Sequence, residues 1–315
     1  MSDKVGKLTL WGVEVFLTAA EEGSVSAAAK RLGASPSAIS QQISNLETAL
    51  GAELLNRRER PMTLTPAGRV LRRRAQSILL EAASVRSEIA GLDLSQLAQL
   101  RLGMVEDFET TVTPSLIATM AGTLTSTQFE LETGPSHRLI DRLENRALDV
   151  IVAADFGTPA AWMEQHALLD DPFVAVVPKG NKDAVESLPL IQYTRRHAMG
   201  RVLAEHLARE GMHLTGRFEM DSYRAILAMV AGGAGWTILS ALGVLNAGRY
   251  AEDIEVIALP VAPLSRRIVL TIRRDGVQEM AQEISAHLRP LLDEQVVKPL
   301  LAQSPFLKGR LQVLN

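Results

Sequence analysis

Cysteine is missing from all 315 residues, which excludes disulfides, thiolate zinc sites and a cysteine nucleophile. No basic segment followed by a long apolar stretch opens the chain, so no signal peptide is expected and a cytoplasmic location follows. Charge is absent from Ala225 to Gly248, a run long enough to span a bilayer. Its middle is Gly232-Gly233-Ala234-Gly235 and no polybasic flank comes after it. The run therefore reads as a helix end, a glycine turn and a short strand buried inside an α/β domain. Catalytic motifs are also missing. Gly233-Ala234-Gly235 lacks the third glycine of a dinucleotide fingerprint, and Ser240 has no G-x-S-x-G around it. The histidines His137, His166, His197, His206, His213 and His287 include no H-x-x-x-H pair. Each is expected in a surface or packing role, His206 and His213 at the surface, with no metal and no cofactor.

The charge that is present is unevenly spread. Residues 1–90 hold twelve Lys and Arg against nine Asp and Glu, a balance of +3 in a chain of net charge −3. The basic residues cluster at Arg57, Arg58 and Arg60 and again at Arg69, Arg72, Arg73 and Arg74. A basic front on an acidic body suggests a module facing nucleic acid joined to a domain with other work.

Leu8, Trp11, Val15, Phe16 and Ala19 recur at helical steps up to Gly23, giving a first amphipathic helix. Ser24 is a candidate cap for a second helix that Gly33 closes. Ser35 caps a third, with Pro36 at its first position. In that third helix Ile39, Ile43, Leu46 and Leu50 form one stripe, and Ser37, Ser40, Gln41 and Ser44 lie opposite. The alanines 27–29 allow close helix crossing. This is helix-turn-helix spacing, in which the second helix of the pair presents its polar side to a DNA groove. Hydroxyls bond base edges or phosphates and glutamine bonds adenine. The bland reading, a pair of core helices with a polar face, is weakened by the segment beyond Gly51. Residues 52–64 (AELLNRRERPMTL) read as a two-stranded wing with an arginine-rich tip, Arg57, Arg58 and Arg60 placed to reach phosphates or a minor groove. Thr65 and Pro66 then start a long helix through Ala90. Its Val70, Leu71, Ile78, Leu79, Ala82, Val85 and Ile89 stand near heptad spacing for a partner helix.

These segments resemble the LysR-type transcriptional regulators. The resemblance rests on AAKRLGASPSAISQQISNLE at 28–47, LGAELLNRRERPMTLTPAG at 50–68 and the arginine-rich helix after them. It continues through LRLGMVEDF at 100–108, LDVIVAADF at 148–156, DDPFVAVVPKGN at 170–181 and MVAGGAGWTILS at 229–240, covering about residues 8 to 292. It implies an α/β protein: a winged helix-turn-helix domain over 1–66, a linker and dimerisation helix over 67–95, and an effector domain over 96–292. That domain would resemble periplasmic binding proteins, with one subdomain at 98–178 plus 262–292, another at 179–261, and a cleft between them. Residues 293–315 extend past the pattern, either disordered or as an extra helix packed on a neighbour. The implied partners are a pseudo-palindromic double-stranded operator, a small-molecule effector, a second copy in a homodimer or homotetramer, and RNA polymerase. No membrane is implied.

The chain departs from the family where it reads DNA. Members often carry Arg or Lys at the positions of Gln41, Ser44 and Asn45, so phosphate affinity must come from Lys30, Arg31, the wing arginines and Arg69. The full set of DNA-binding candidates is Lys30, Arg31, Ser35, Ser37, Ser40, Gln41, Ser44, Arg57, Arg58 and Arg60.

From Leu100 on, the runs LRLGMV, FELET, DVIVAA, FVAVVP, LPLIQY and RIVLTI alternate with helical segments, as in an α/β fold with a parallel sheet. Ligands of such sheets sit beyond the strand C-termini. The effector candidates there are Glu106 and Asp107 after the first strand, Gly134 and Ser136 after FELET, and Thr194 and Arg195 after LIQY. Many relatives have Ser or Thr at 106–107. Asp107 fits a helix cap; if it instead faces the cleft it favours an amine, an amino acid or a polyol, while Arg195 and Arg196 favour a carboxylate or phosphate. The expected function is a DNA-binding transcriptional regulator that senses a small effector and alters promoter binding or bending, not an enzyme. The alternative is an effector-independent repressor or architectural protein with a vestigial cleft.

Overall fold

Polar caps and glycines punctuate the N-terminal helices where the sequence places them. The computed structural model describes residues 7–57, 59–89, 97, 99–155, 157–181, 185–212, 217–276 and 278–314. Contacts divide the chain into two units, Met1–Asp93 with Asn145–Ala147, and Leu94–Glu144 with Leu148–Asn315. Each is taken by itself.

In the first unit, α1 spans Leu10–Glu22, starting where Thr9 Oγ1 accepts from the Gly12 N–H and ending at Gly23 with φ 61°. Helix α2 (Val25–Arg31) is capped by Ser24 and α3 (Pro36–Leu50) by Ser35. Ala28 and Ala29 are buried where α2 meets α3, and Ile39, Ile43 and Leu46 pack in the same core with Val13, Val15, Phe16 and Ala19. Three stripe members are not in this core. Leu50 is 41% exposed and Trp11 40% exposed, with Leu8 exposed as well; all three sit at helix ends, past the reach of a three-helix core. Strands β1 (Leu55–Asn56) and β2 (Thr63–Leu64) pair antiparallel as a small wing. Helix α4 runs Pro66–Ile89, its start fixed by Thr65 Oγ1, which accepts from Gly68 N–H. A Cβ on Gly68 would stand 2.0 Å from the Leu54 carbonyl oxygen, so only glycine fits there. Leu71 and Ala75 are buried, while Val70 is 54% exposed and Val85 is exposed as well. The side chain of Ile89 and residues 90–96 lie outside the described residues.

The second unit begins with β3 (Gln99–Val105), a 3-10 turn at Glu106–Phe108, α5 (Val112–Thr123), β4 (Gln128–Gly134), α6 (Ser136–Glu144), β5 (Val150–Asp155) and the long β6 (Met163–Pro178). It continues through β7 (Ile191–Tyr193), α7 (Ala198–Arg209), β8 (Phe218–Met220), α8 (Tyr223–Ala231), β9 (Thr237–Ser240), α9 (Ala241–Leu245), β10 (Ile254–Ile257), β11 (Ser265–Arg273) and α10 (Gln278–Leu292). The sheet is mixed, where a parallel one was expected. Strands β4, β3 and β5 are parallel neighbours, as are β7 and β8. The strand β11 runs antiparallel to both β5 and β6 because the chain returns through it. Strand β6 serves two groups: residues 163–172 pair with β11, and 173–178 pair with β9 and β10. Near-continuous apolar runs such as Leu100–Val105 are buried on both faces, each large aliphatic side chain contributing about 1.5–3 kcal/mol.

The uncharged run at 225–248 forms α8, the glycine turn, β9 and α9, and no helix among the described residues is long and apolar enough to cross a membrane. The segment after Leu292 is ordered, not disordered, and packs within its own unit. It makes a π-helical turn (Asp293–Val297), α11 (Lys298–Gln303) and β12 (Gln312–Val313), which pairs with β6 at Leu169 and Asp170. Val296, Leu300, Leu307 and Leu311 are buried in the main core of the same unit.

Candidate nucleic-acid interface and effector cleft

The exposed side of α3 carries Ser37, Gln41 and Asn45, with Ser40 and Ser44 half-buried, opposite the buried Ile39 and Ile43. Gln41 Nε2 donates to Asn45 Oδ1 at 2.9 Å, and the hydroxyls of Ser35 and Ser37 are 3.0 Å apart. Ser35 Oγ also accepts from the Ala38 N–H, as the cap of the helix. The outer face is therefore a row of short neutral donors and acceptors.

Two of the expected phosphate contacts are otherwise engaged. Arg57 does not extend from the wing tip. Its Nη2 lies 2.6 Å from Glu47 Oε2 and 3.2 Å from Ser44 Oγ, and its Nη1 is 3.4 Å from Ser40 Oγ. The guanidinium thus lies across α3, and supplies that face with the cation its own sequence lacks. Arg31 pairs with Glu21 and Glu22 at the end of α1, at 2.9 and 3.0 Å; the hydrogen bond to Glu22 is the largest cause of its raised pKa. Lys30 and Arg60 are exposed, and Arg58 lies outside the described residues. Arg69 donates to the Leu64 carbonyl at 3.0 Å and, with Arg72 and Arg73, borders an open hollow beside β2. The basic surface sits beside the reading face as well as on it.

In the second unit a small cavity of about 50 Å³ opens among Glu106, Asp107, Ser136, His137, Tyr193, His197, Tyr223 and Arg266. Asp107 does not cap the helix that follows: α5 has Thr111 at its N-cap and no side-chain cap bond, and the turn that holds Asp107 has none either. Its carboxylate accepts from Arg266 Nη2 at 2.7 Å, and Arg266 Nε donates to Asp171 at 2.8 Å. Asp171 is wholly buried and also accepts from the Leu242 N–H at 3.1 Å. Burial pushes the Asp171 pKa up, against the pull of Arg266. Burial opposes charge on Arg266 too, but the two carboxylates outweigh it and hold the guanidinium protonated. Glu106 is half-buried and its pKa is raised, by burial first and by Asp107 second. His137 and His197 face each other with ring centroids 5.0 Å apart, and His197 Nδ1 is 3.3 Å from the Tyr193 hydroxyl. Burial, then His137, lowers the His197 pKa.

The other effector candidates divide. Gly134 is buried at the end of β4, and is not among the residues lining this cavity. Ser136 lines it, but its hydroxyl oxygen accepts from the Ala154 N–H at 3.0 Å. Thr194 is buried and donates to Glu219 at 2.6 Å. Arg195 borders a different cavity, of about 230 Å³, among Ile191, Leu203, Leu207, Met212 and Ile238. Arg196 pairs with Asp221 at 3.4 Å on the surface. Position after a strand end does not decide which way a side chain turns.

Residues 95–293 match the family model described as LysR substrate binding domain, and residues 10–69 match the bacterial regulatory helix-turn-helix protein of the lysR family. The chain belongs to the LysR family. It is a DNA-binding transcriptional regulator with an effector-binding domain. Among similar LysR-family sequences, a probable hydrogen peroxide-inducible genes activator of Mycobacterium avium is 27% identical over 94% of this chain and 98% of its own length. A probable hydrogen peroxide-inducible genes activator from Streptomyces viridosporus is 27% identical over 91% and 95%. A cysteine mutant of Corynebacterium glutamicum OxyR shares the fold with TM-score 0.62 at 22% identity, covering 95% of this chain and 96% of that one. CbnR complexed with its target DNA does so with TM-score 0.61 at 19% identity, covering 90% and 100%.

Within this LysR-family fold, His137, His197, Tyr223 and Arg266 are cleft residues that sequence reasoning missed, since none belongs to a local motif. The spacing of His137 and His197 resembles no ligand pair. His206 is buried with Nε2 2.8 Å from the Ala262 carbonyl, a packing role and not the surface one expected. Among the described residues no group of His, Asp and Glu is arranged to hold a metal.

Proposed function

We propose that this LysR-family regulator binds a pseudo-palindromic operator through α3 and the wing, and senses a small molecule in the cavity around Glu106 and Arg266. The observation that supports this most is the sidedness of α3, with Ser37, Gln41 and Asn45 outward and Ile39 and Ile43 wholly buried. A helix so arranged presents hydrogen-bonding groups to base edges while its core remains intact. The two groups of strands sharing β6 are read as subdomains, about 98–178 with 262–292 and 179–261, whose relative placement the effector biases by its differential affinity. The exposed Val70 and Val85 of α4 support a homo-oligomer, dimer or tetramer. RNA polymerase contact, a cytoplasmic location and the absence of enzymatic activity belong to the same reading.

The relatives named as hydrogen peroxide-inducible activators do not extend their response to this chain. With no cysteine in its 315 residues, it has no thiol for peroxide to oxidise. A thiol-based response is therefore left out of the reading, and the effector is taken to bind noncovalently.

The competing reading, an effector-independent repressor, is favoured by the salt-bridged Asp107–Arg266–Asp171 group, which fills the cleft with the protein's own charges. Mapping binding sites across the source genome, followed by operator-binding assays with metabolites drawn from the flanking genes, separates the two. Operator affinity that no metabolite changes, with no shift in melting temperature, would replace the effector reading with the repressor. Failure to bind any DNA would remove both.

A further inference from the structure

Arg266 is the only arginine or lysine among the residues lining the small cavity, and its charge is already spent. Nε is on Asp171 and Nη2 on Asp107, and the remaining Nη1 has only the Met199 sulfur, at 3.9 Å. An incoming carboxylate would have to displace a buried aspartate to reach it. The Glu106 carboxylate, by contrast, makes no hydrogen bond or ion pair among the described residues, although it lines the cavity and is half-buried. Arg224 lies near enough to attract it but pairs with Glu109, at 3.5 Å.

A second, independent observation is Tyr223. The residue is 7% exposed and lines the same cavity, and its hydroxyl has no hydrogen-bond partner. The Arg224 guanidinium lies 5.8 Å over the ring and its interaction with the hydroxyl raises the arginine's pKa, but the two are not in hydrogen-bond geometry. A buried hydroxyl left unpaired costs free energy that a ligand can recover. Tyr193 lines the same cavity, and burial, then the negative charges of Glu106 and Asp107, raise its pKa. One bare carboxylate, one orphan hydroxyl and two tyrosine rings are the elements of an ammonium site.

We infer that the effector is a small organic ammonium compound, an amine or amino acid, whose charged nitrogen pairs with Glu106 and hydrogen-bonds the Tyr223 hydroxyl. This deepens the effector reading above and rests on it. The cavity limits the ligand to a few heavy atoms before the cleft must open. If the ligand also carries an acid group, the first turn of α7 is the place for it, because His197 provides no side-chain cap there.

The test is a melting-temperature and calorimetric screen of the full-length protein with ethanolamine, glycine, alanine and serine beside acetate, glycolate and lactate. The amine-bearing set is expected to bind and the acids are not. Glu106→Gln is expected to weaken the bound amine by about tenfold to a hundredfold, as loss of a charged hydrogen bond does. Tyr223→Phe is expected to weaken it by a smaller factor, and Arg195→Ala, in the other cavity, leaves it unchanged. Ethanolamine alone separates an amine site from an amino-acid site. Binding by the acids alone, or amine binding indifferent to both Glu106→Gln and Tyr223→Phe, overturns the ammonium assignment and leaves the effector reading standing. Silence from the whole panel overturns the assignment too, and the wider metabolite screen then decides the effector reading.

Discussion

Arg57 of the wing donates to Glu47 of α3 across 2.6 Å, and the other oxygen of Glu47 accepts the Leu54 N–H at 2.9 Å. One carboxylate therefore ties the wing to the reading helix twice, through a backbone and through a guanidinium. The same contact holds a positive charge over Ser40 and Ser44.

Replacing Glu47 should separate these two tasks. Glu47→Ala is expected to lower stability by about 1–3 kcal/mol, since it leaves buried N–H groups unpaired, as measured by chemical denaturation. Glu47→Gln retains an acceptor for Leu54 but frees Arg57 for phosphates. The slope of log K against log salt for operator binding should then steepen by about 0.9. An unchanged slope would mean that Arg57 never reaches the duplex.

Glu106 offers a test by pH. Burial and Asp107 raise its pKa above the ordinary 4.5, so the folded state favours its neutral form. That preference stabilises the protein below pH 4.5 and is lost as pH rises through the folded value. Glu106→Gln, a permanent neutral form, should melt higher than the parent at pH 7. The gap should close as pH falls toward 4.5. Melting curves between pH 4.5 and 8 check this, and a gap independent of pH would contradict it.

Removing Arg266 should be costly. Arg266→Met leaves Asp107 and Asp171 buried without their partner, a loss of about 3–5 kcal/mol. Because burial already raises Asp171 above its ordinary 3.8, acid should lessen the penalty as that carboxyl takes up a proton. Denaturant titrations at pH 5 and pH 7 would show it; equal penalties at both would place the cost elsewhere.

The C-terminal segment should behave as core. Leu300→Ala is expected to cost about 2–5 kcal/mol, and truncation after Leu292 should leave a chain that aggregates or melts well below the parent. A truncated protein with unaltered melting temperature would show that the buried contacts of Leu300, Leu307 and Leu311 contribute little.

Local patterns made the N-terminal unit legible. Capping serines, closing glycines and apolar spacing are all encoded within a few residues of the structure they cause. The three errors there, Leu8, Trp11 and Leu50, lie at or just outside helix ends, where periodicity continues past the core. The effector cleft was legible only in outline, because its contacts are distant in sequence. Asp107 and Arg266 are 159 residues apart, and no spacing rule pairs them. Asp107 therefore looked like a cap, and Arg195 looked like a ligand partner because it comes after a strand. The tail was unreadable for a similar reason: its leucines have a buried face only once β6 offers an edge to β12.

The sixteen residues of β6 form a single beam that both strand groups grip, changing partners at Pro172, opposite Ser265. Such a beam resists sliding, since every ladder bond along it would have to break, and yields more readily to torsion at the point where the grip changes hands. If the effector binds beside Glu106 as proposed, it would work against the torsional stiffness of this strand.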